Sequence, residues 1–387
     1  MLHYEAEWLE TSAGLLYVAG GHVQFEDDFA HWRDGFCRLL EISDDKARRL
    51  IEQAVLAGAE MHGKLPHETS PADRCPALAS AVGSLFELPR EPAAAYEMQL
   101  SWGTTFDGLP ADTIFARSIS GNRDRMVVGN RQCQFGWQIS RADRKPVDAT
   151  TVEYDRSYYD APRQPHCGMR DYIRHDDWRL AKARRLIGTV LKAARESSIE
   201  WALSPGPVRV LDVGSATGYF RKAMSERGFD HYGIDVSADA IDICREMFGF
   251  ETWHGPVFEL PRFIGAEELR FQMITLWDTI EHFNDPLSVV NLLKTYLSHH
   301  GVLVIRTPSL TAFEADILGD MYYSYKLDHV RYFSPRSLTA MMEMAGLQEI
   351  YLETTSHIFK GLLGADHLYQ MGKALRGADI VALYSLK

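Results

Sequence analysis

The chain has 387 residues, 46% of them hydrophobic and 24% charged, with a formal net charge of −12. That length exceeds one ordinary hydrophobic core and calls for two domains, and the composition is that of a globular protein. The acidic balance disfavours a polyanionic partner, because nucleic-acid binding is driven by lysine and arginine releasing counterions from phosphate.

No apolar run reaches the ~18 residues of a membrane span. The acidic start, Met1-Leu-His-Tyr-Glu-Ala-Glu, lacks the basic-then-apolar order of a signal peptide. Five scattered cysteines (Cys37, Cys75, Cys133, Cys167 and Cys244) include no C-x-x-C pair, which argues against a disulfide framework or a zinc knuckle. A cytoplasmic protein is expected, with neither membrane nor nucleic acid as partner.

Three regions separate along the chain. Residues 1–150 read as a mixed α+β domain. Helical apolar spacing runs over Asp27–Leu40 and Ser43–Ala57; in the second, Ala47, Leu50, Ile51, Ala54 and Val55 share a face and Gly58 is a stop signal. Gly63–Pro76 reads as a loop. Strand-like runs follow at Ile114-Phe-Ala116, Met126-Val-Val128 and Phe135–Ile139, with Gly121-Asn122 and Gly129-Asn130 as turn chemistry.

Residues 151–205 form a connector, opening with the tyrosine-rich stretch that holds Tyr154, Tyr158 and Tyr159. Its helix, from about Asp176 to Ser197, presents Leu180, Ala183, Leu186, Ile187, Val190, Leu191 and Ala194 on one face.

From 206 to 387 strands and helices alternate, the pattern of a parallel sheet covered on both sides. Strands are predicted at Val208–Val213, Tyr232–Asp235, Glu251–His254, Phe271–Trp277, Gly301–Arg306, Leu347–Thr355 and Asp379–Leu386. Helices are predicted at Gly218–Arg227, Ser237–Met247, Pro286–Ser298 and Ser334–Ala345. Between Ser356 and Arg376 an apolar stripe (Ile358, Leu362, Leu363, Leu368, Met371, Leu375) reads as core or interface.

The first of these strands runs into Gly214-Ser-Ala-Thr-Gly218 and then a helix. Glycines there allow a tight turn and close approach of a ligand to the backbone. Asp212 precedes the loop, and Asp235 ends the next strand, where an acid can accept hydrogen bonds from ribose hydroxyls. The spacing is G-x-x-x-G and not the G-x-G-x-x-G of a pyrophosphate cradle, so the ligand expected has a ribose but no diphosphate at this point.

Leu211-Asp-Val-Gly-Ser-Ala-Thr-Gly218, Trp277-Asp-Thr-Ile-Glu-His-Phe-Asn-Asp-Pro286, Gly301–Pro308 and Asp328-His-Val-Arg-Tyr-Phe-Ser-Pro335 occur in the order of the class I S-adenosylmethionine-dependent methyltransferase superfamily. The segment resembles in particular its ubiquinone-biosynthesis and natural-product members. The resemblance implies an α/β fold: a Rossmann-like methyltransferase sheet with helices on both faces, here preceded by the mixed α+β domain. It implies S-adenosylmethionine as cofactor. Carried over by position, Gly214, Ser215, Ala216 and Gly218 lie against its methionine part, Asp212 shapes the loop, and Asp235 with Val236 takes the ribose. Trp277 and Asp278 border the pocket, and Tyr158 belongs to a lid. The family often has an acid for the adenine amino group after the third strand; here Pro256 or Val257 fills that slot, leaving adenine to backbone groups and apolar contact.

At the end of the fourth strand, Asp278-x-x-Glu281-His282, with His329, admits three readings. His282 or His329 is a general base toward a substrate hydroxyl, with Glu281 beside them. Alternatively Glu281, His282 and His329, with Asp278 as fourth ligand, hold a divalent metal that acidifies the hydroxyl. In the third, Asp278 caps a turn and His282 fills a structural position. The favoured expectation is methyl transfer to a small-molecule acceptor, a hydroxyl oxygen ahead of nitrogen or carbon, without metal. Residues 1–150 would select substrate, form a homodimer interface, or both. The rivals are a metal-dependent RNA ribose methyltransferase and a catalytically degenerate regulatory subunit that binds the cofactor.

Overall fold

The computed structural model describes residues 7–11, 14–19, 22–25, 109, 111–117, 119, 122–160, 176–203, 206–265, 269–312, 314–315, 322, 324–355 and 374–387. The helices expected at Asp27–Leu40 and Ser43–Ala57, the loop Gly63–Pro76 and most of the Ser356–Arg376 stripe lie outside these residues.

The chain divides into two compact units. Unit 1 comprises Met1–Pro146, Ser309–Leu327 and Thr354–Asp379; unit 2 comprises Val147–Pro308, Asp328–Glu353 and Ile380–Lys387. Two segments that the sequence reading places within 206–387 therefore group with unit 1, and the connector groups with unit 2.

In unit 1, β1 (Glu7–Thr11), β2 (Gly14–Ala19) and β3 (His22–Phe25) form an antiparallel meander that sequence reasoning missed. The expected strands β4 (Thr113–Ala116), β5 (Arg125–Asn130) and β6 (Phe135–Ser140) pair antiparallel. Asn130 closes the β5–β6 turn, its Oδ1 accepting the amides of Gln132 at 2.9 Å and Cys133 at 3.1 Å. The two late segments are tied to each other: the Ser309 amide donates to the Ala378 carbonyl at 2.7 Å. The buried Tyr322 hydroxyl lies 3.1 Å from both the Ser309 and Ala378 carbonyl oxygens.

Unit 2 holds α1 (Arg156–Asp160), α2 (Asp176–Glu196), α3 (Glu200–Leu203), β7 (Arg209–Val213), α4 (Tyr219–Ser225), β8 (Asp230–Asp235), α5 (Ala238–Phe248) and β9 (Trp253–His254). It continues through α6 (Leu260–Ile264), β10 (Phe271–Trp277), α7 (Pro286–Leu293), β11 (Leu297–Pro308), β12 (Arg331–Tyr332), α8 (Pro335–Met344) and β13 (Leu347–Thr355) to β14 (Asp379–Leu386). Seven strands form one sheet in the order β13-β14-β11-β10-β7-β8-β9. The strands from β7 to β11 run parallel. Successive strands step away from β7 in one direction through β8 and β9, then in the other from β10. That reversal opens a crevice at the carboxyl ends of β7 and β10, the place where open α/β sheets bind ligands.

Strands buried on both faces need apolar runs, and β7, β10 and β11 have them. The predicted face of α2 is the one the core uses. Ala183, Leu186, Ile187, Val190, Leu191 and Ala194 pack with Val210, Met273, Val302, Val304, Val381 and Leu383 of the sheet, and with Ala223 and Met224 of α4.

Helix starts follow the chemistry of their caps. Ser237 accepts the Ala240 amide at 3.0 Å at the start of α5. Ser334 and Ser337 form a reciprocal capping box on α8, both fully buried. Since a buried cap that loses its hydroxyl leaves an amide without a partner, Ser334→Ala is expected to cost about 1–2 kcal/mol, read as a lower urea midpoint. An unchanged midpoint would show that the cap carries no stability.

Candidate functional site

The turn from β7 into α4 is forced into left-handed backbone. Gly214, Ala216 and Gly218 have φ of 68°, 43° and 87°. A Cβ on Gly214 would sit 2.5 Å from the Thr279 side chain, and one on Gly218 would sit 2.4 Å from Cys244 Sγ. Both glycines are therefore demanded by conformation and by space at once. The Ala216 amide donates to Asp235 Oδ2 at 2.8 Å, and the Ser237 amide donates to Asp235 Oδ1 at 2.8 Å. Asp235 thus clamps the middle of the loop and the start of α5, with lone pairs to spare on each oxygen. Burial pushes its pKa up, while the Ser237 and Ala216 amides oppose that rise.

Asp212 is 2% exposed. In register it lies between Gly233 on β8 and Thr275 on β10, and Thr275 donates to its Oδ1 at 2.7 Å. Burial raises its pKa to about 7, against the opposing pull of the Thr275 hydroxyl and the Arg221 guanidinium. Beside it the hydroxyls of Ser215 and Thr217 are buried without a hydrogen-bond partner. Buried unpartnered hydroxyls in a glycine turn are what a ligand's polar groups would satisfy.

Around this loop Val236 is exposed and Val257 buried, and His254 Nε2 donates to the Val236 carbonyl at 3.2 Å. Trp277, expected at the cofactor, points its ring into the core of unit 2, stacked on Phe220 at 4.2 Å between centroids. Asp278 adopts φ 52°. Its carboxylate pairs with the buried Arg306 guanidinium and its amide donates to the Arg306 carbonyl at 2.8 Å.

Glu281, His282 and His329 come together, each offering a ligand atom within 4.8 Å of the others. Asp278 lies outside that trio. The His282 and His329 rings meet edge-on, 4.9 Å between centroids. Glu281 is 1% exposed; its Oε2 accepts the Thr307 hydroxyl at 2.9 Å, and its Oε1 has no partner. Burial, reinforced by Asp278, holds its carboxyl well above the usual range. His282 Nδ1 lies 2.8 Å from the Asp328 carbonyl oxygen. A carbonyl only accepts, so Nδ1 carries the proton and Nε2 is left basic.

The tyrosines expected to form a lid reach this trio, and their partners were not legible in the sequence. Tyr154 brings its hydroxyl to 3.2 Å from His282 Nδ1. Tyr158 donates to Asp328 Oδ2 at 2.6 Å, and Tyr159 is buried against Ala240 and Ile243. The tyrosine stretch is thereby fastened to the loop bearing His329, and Tyr158 is raised well above the usual phenol range by burial and by Asp328.

Residues 174–352 match a family model described as a methyltransferase domain. The chain is 29% identical over 155 residues to the ubiquinone biosynthesis O-methyltransferase of Actinobacillus pleuropneumoniae, covering 36% of this chain and 65% of that protein. It is 26% identical over 192 residues to its counterpart in Histophilus somni, covering 46% and 75% respectively. Among solved structures, a SAM-dependent methyltransferase from Archaeoglobus fulgidus aligns with 16% identity and a TM-score of 0.37, over 51% of this chain and 93% of the other.

Asp212 yields a prediction with a definite sign. Its folded-state pKa of about 7 exceeds the reference value of 3.8, so the ligand-free folded chain binds the extra proton between those values. The stability tied to that proton is fully present below pH ~4 and is lost as pH rises through ~7. Asp212→Asn is expected to remove that loss, leaving the ligand-free protein more stable than wild type at pH 8 by up to roughly 4 kcal/mol. Urea unfolding at pH 5 and pH 8 checks it; a variant destabilised equally at both values would contradict the assignment.

Proposed function

This chain carries a class I S-adenosylmethionine-dependent methyltransferase domain, and from that premise we propose that the protein methylates a hydroxyl oxygen of a small-molecule acceptor. The observation that carries the reading is the arrangement at the carboxyl ends of β7, β8 and β10. A glycine turn with unpartnered Ser215 and Thr217 hydroxyls and a buried Asp235 adjoins a histidine with a basic Nε2. The relatives' printed name, O-methyltransferase, supports oxygen as the acceptor atom. The net charge of −12 counts against RNA as acceptor.

The turn residues fit S-adenosylmethionine. Gly214 and Gly218 keep side chains out of the space beside the backbone, Ser215 and Thr217 offer hydroxyls, and Asp235 offers acceptor lone pairs to ribose hydroxyls. When bound, the cofactor supplies a methyl group already activated on sulfonium, so the protein's task is alignment and exclusion of water. His282 Nε2 accepts the acceptor's hydroxyl proton, while the Asp328 carbonyl fixes the ring and its tautomer. His329 stands edge-on beside it, and Glu281, whose carboxyl burial holds well above the usual range, adjoins both. The Tyr154–Tyr158 stretch closes the site by its bonds to His282 and Asp328. Residues 1–150 take the role of acceptor selection, a dimer interface, or both.

A second reading rests on one specific feature: Glu281, His282 and His329 converge closely enough to hold a divalent cation. The Nδ1–H···O=C bond of His282 is also what orients a metal-bound histidine. Asp278, engaged by Arg306, does not join them. In this reading the cation would lower the acceptor's pKa and Glu281 would be ionised.

Calorimetric titration with S-adenosylhomocysteine is expected to give one-to-one, micromolar binding, and Asp235→Ala is expected to weaken it roughly ten- to a hundredfold. No binding by the wild type would overturn the cofactor assignment. For the chemistry, His282→Ala is expected to cut turnover about a hundredfold or more while leaving cofactor affinity near wild type. Full activity of that variant would remove His282 from the mechanism. Turnover insensitive to EDTA supports the base; turnover abolished by EDTA and restored by magnesium supports the metal.

A further inference from the structure

Arg221 is the largest fully buried side chain among the described residues, and nothing in the mechanism above uses it. It stands on α4 three residues after Gly218, where a helical arginine would ordinarily face solvent. Instead it is buried. Its Nη1 donates to Thr252 Oγ1 at 2.6 Å and its Nη2 to the Glu251 carbonyl at 2.7 Å. Cys244 Sγ is 3.9 Å away, and the guanidinium lies 5.3 Å from the centre of the Phe250 ring. None of these partners is a carboxylate. A buried cation held by neutral acceptors keeps its field, and the carboxylates close to it feel that field undiminished by water.

The backbone makes room for this. A Cβ on Gly233 would meet Arg221 Nη1 at 2.8 Å, Arg221 Cδ at 2.9 Å and Ser215 Oγ at 2.8 Å. Gly233 has ordinary backbone geometry, so close approach and not conformation is what requires glycine here. It is also the register partner of Asp212. The guanidinium and the Ser215 hydroxyl therefore converge over one glycine at the root of the turn, with Asp212 beside it on the adjacent strand.

We propose that Arg221 is an electrostatic positioning residue for the cofactor site: reaching through the gap at Gly233, its guanidinium keeps the buried Asp212 ionised beneath the glycine turn. An ionised Asp212 favours the cofactor's cationic groups, the ammonium and the sulfonium; a protonated one does not. Cofactor affinity is thereby tied to pH, with Arg221 setting the midpoint. The groups facing Asp212 are Arg221 from α4, Asp235 from β8 and the neutral Thr275 from β10. Those facing Arg221 are Asp212 from β7, Cys244 from α5, Glu251 ahead of β9 and His231 on β8. His231 is held neutral by its burial and by Arg221 itself, its pKa lowered to about 4. Asp212 has a pKa of about 7 that already includes the downward pull of Arg221, and Asp235 is raised as well, chiefly by burial.

This inference rests on the cofactor reading of the turn, and the test separates the two. Titrations with S-adenosylhomocysteine, which retains the ammonium, are run on the full chain at intervals from pH 6 to pH 9. Wild-type affinity is expected to fall about tenfold from pH 8 to pH 6. Arg221→Gln, which keeps amide donors for Thr252 and the Glu251 carbonyl but loses the charge, is expected to move the midpoint up by a unit or more. Arg221→Lys, which keeps the charge, is expected to stay within half a unit of wild type. Adding Asp212→Asn to Arg221→Gln is expected to flatten the profile. An unshifted midpoint in a folded Arg221→Gln protein overturns the inference while the cofactor reading stands. If that variant does not fold, Arg221→Lys and Asp212→Asn alone decide. A midpoint displaced a full unit by lysine, or a pH-dependent profile surviving in Asp212→Asn, overturns it. Absence of binding by the wild type at every pH overturns both readings together.

Discussion

The Asp235 carboxylate, with one oxygen on the Ala216 amide and the other on the Ser237 amide, is the interaction on which the ligand end of the sheet depends. A chain leaving a buried parallel strand has a few residues in which to reverse into a helix, and its amides are exposed while it does so. Glycines at 214 and 218 let it turn, but a turn that glycine permits is also one that glycine leaves loose. Asp235 removes that freedom from the neighbouring strand, fixing the middle of the turn and the start of α5 with one group. The clamp requires a buried carboxylate, and burial disfavours its charge. Two such acids, Asp212 and Asp235, sit at the ends of adjacent strands, so the region accumulates negative charge in a poorly solvated place. Arg221 is the buried cation that answers it.

That arrangement explains which parts of the molecule could be read from residues in order. The buried-strand runs at 208–213 and 271–277, the turn glycines and Asp235 are local signals. Phe271–Trp277, Leu347–Thr355 and Asp379–Leu386 fall at the observed boundaries. The Ser237 and Ser334 caps were equally local. The partners of His282 were not. Asp328 is 46 residues from His282 and 170 from Tyr158, and the pairing depends on how β11 and its following segment return to the sheet. Arg221 escaped for a different reason: an arginine on a short helix reads as solvated, and only the register of Gly233 beside Asp212 reveals where it goes. Trp277, at the end of β10 where the ligand is expected, has its ring with Met273 in the core by strand alternation.

The division of the chain bears directly on the chemistry. Unit 2 is left after Pro308 and rejoined at Asp328. The departing strand β11 runs parallel to β10, so the exit lies at the sheet's carboxyl edge. Thr307, just before the exit, holds Glu281; Asp328, at the return, holds His282 through its carbonyl and Tyr158 through its carboxylate. The two roots of the excursion are therefore the residues that orient Glu281 and His282.

Such roots constrain how the chain tolerates change. Alterations within Ser309–Leu327 that leave both roots unstrained keep Glu281 and His282 in place, whereas those that pull on either root displace a reacting group directly. Orientation within a fraction of an ångström is what proton transfer and in-line displacement require, and a displacement of 1 Å remote from the chemistry can cost about a hundredfold in rate. Placing unit 1 segments between Thr307 and Asp328 thus couples their folding to the geometry of the trio by covalent continuity alone. The tyrosines of the connector bridge the two sides of that geometry: Tyr158 bonds Asp328 at the return, and Tyr154 reaches His282 at the end of the parallel strand β10.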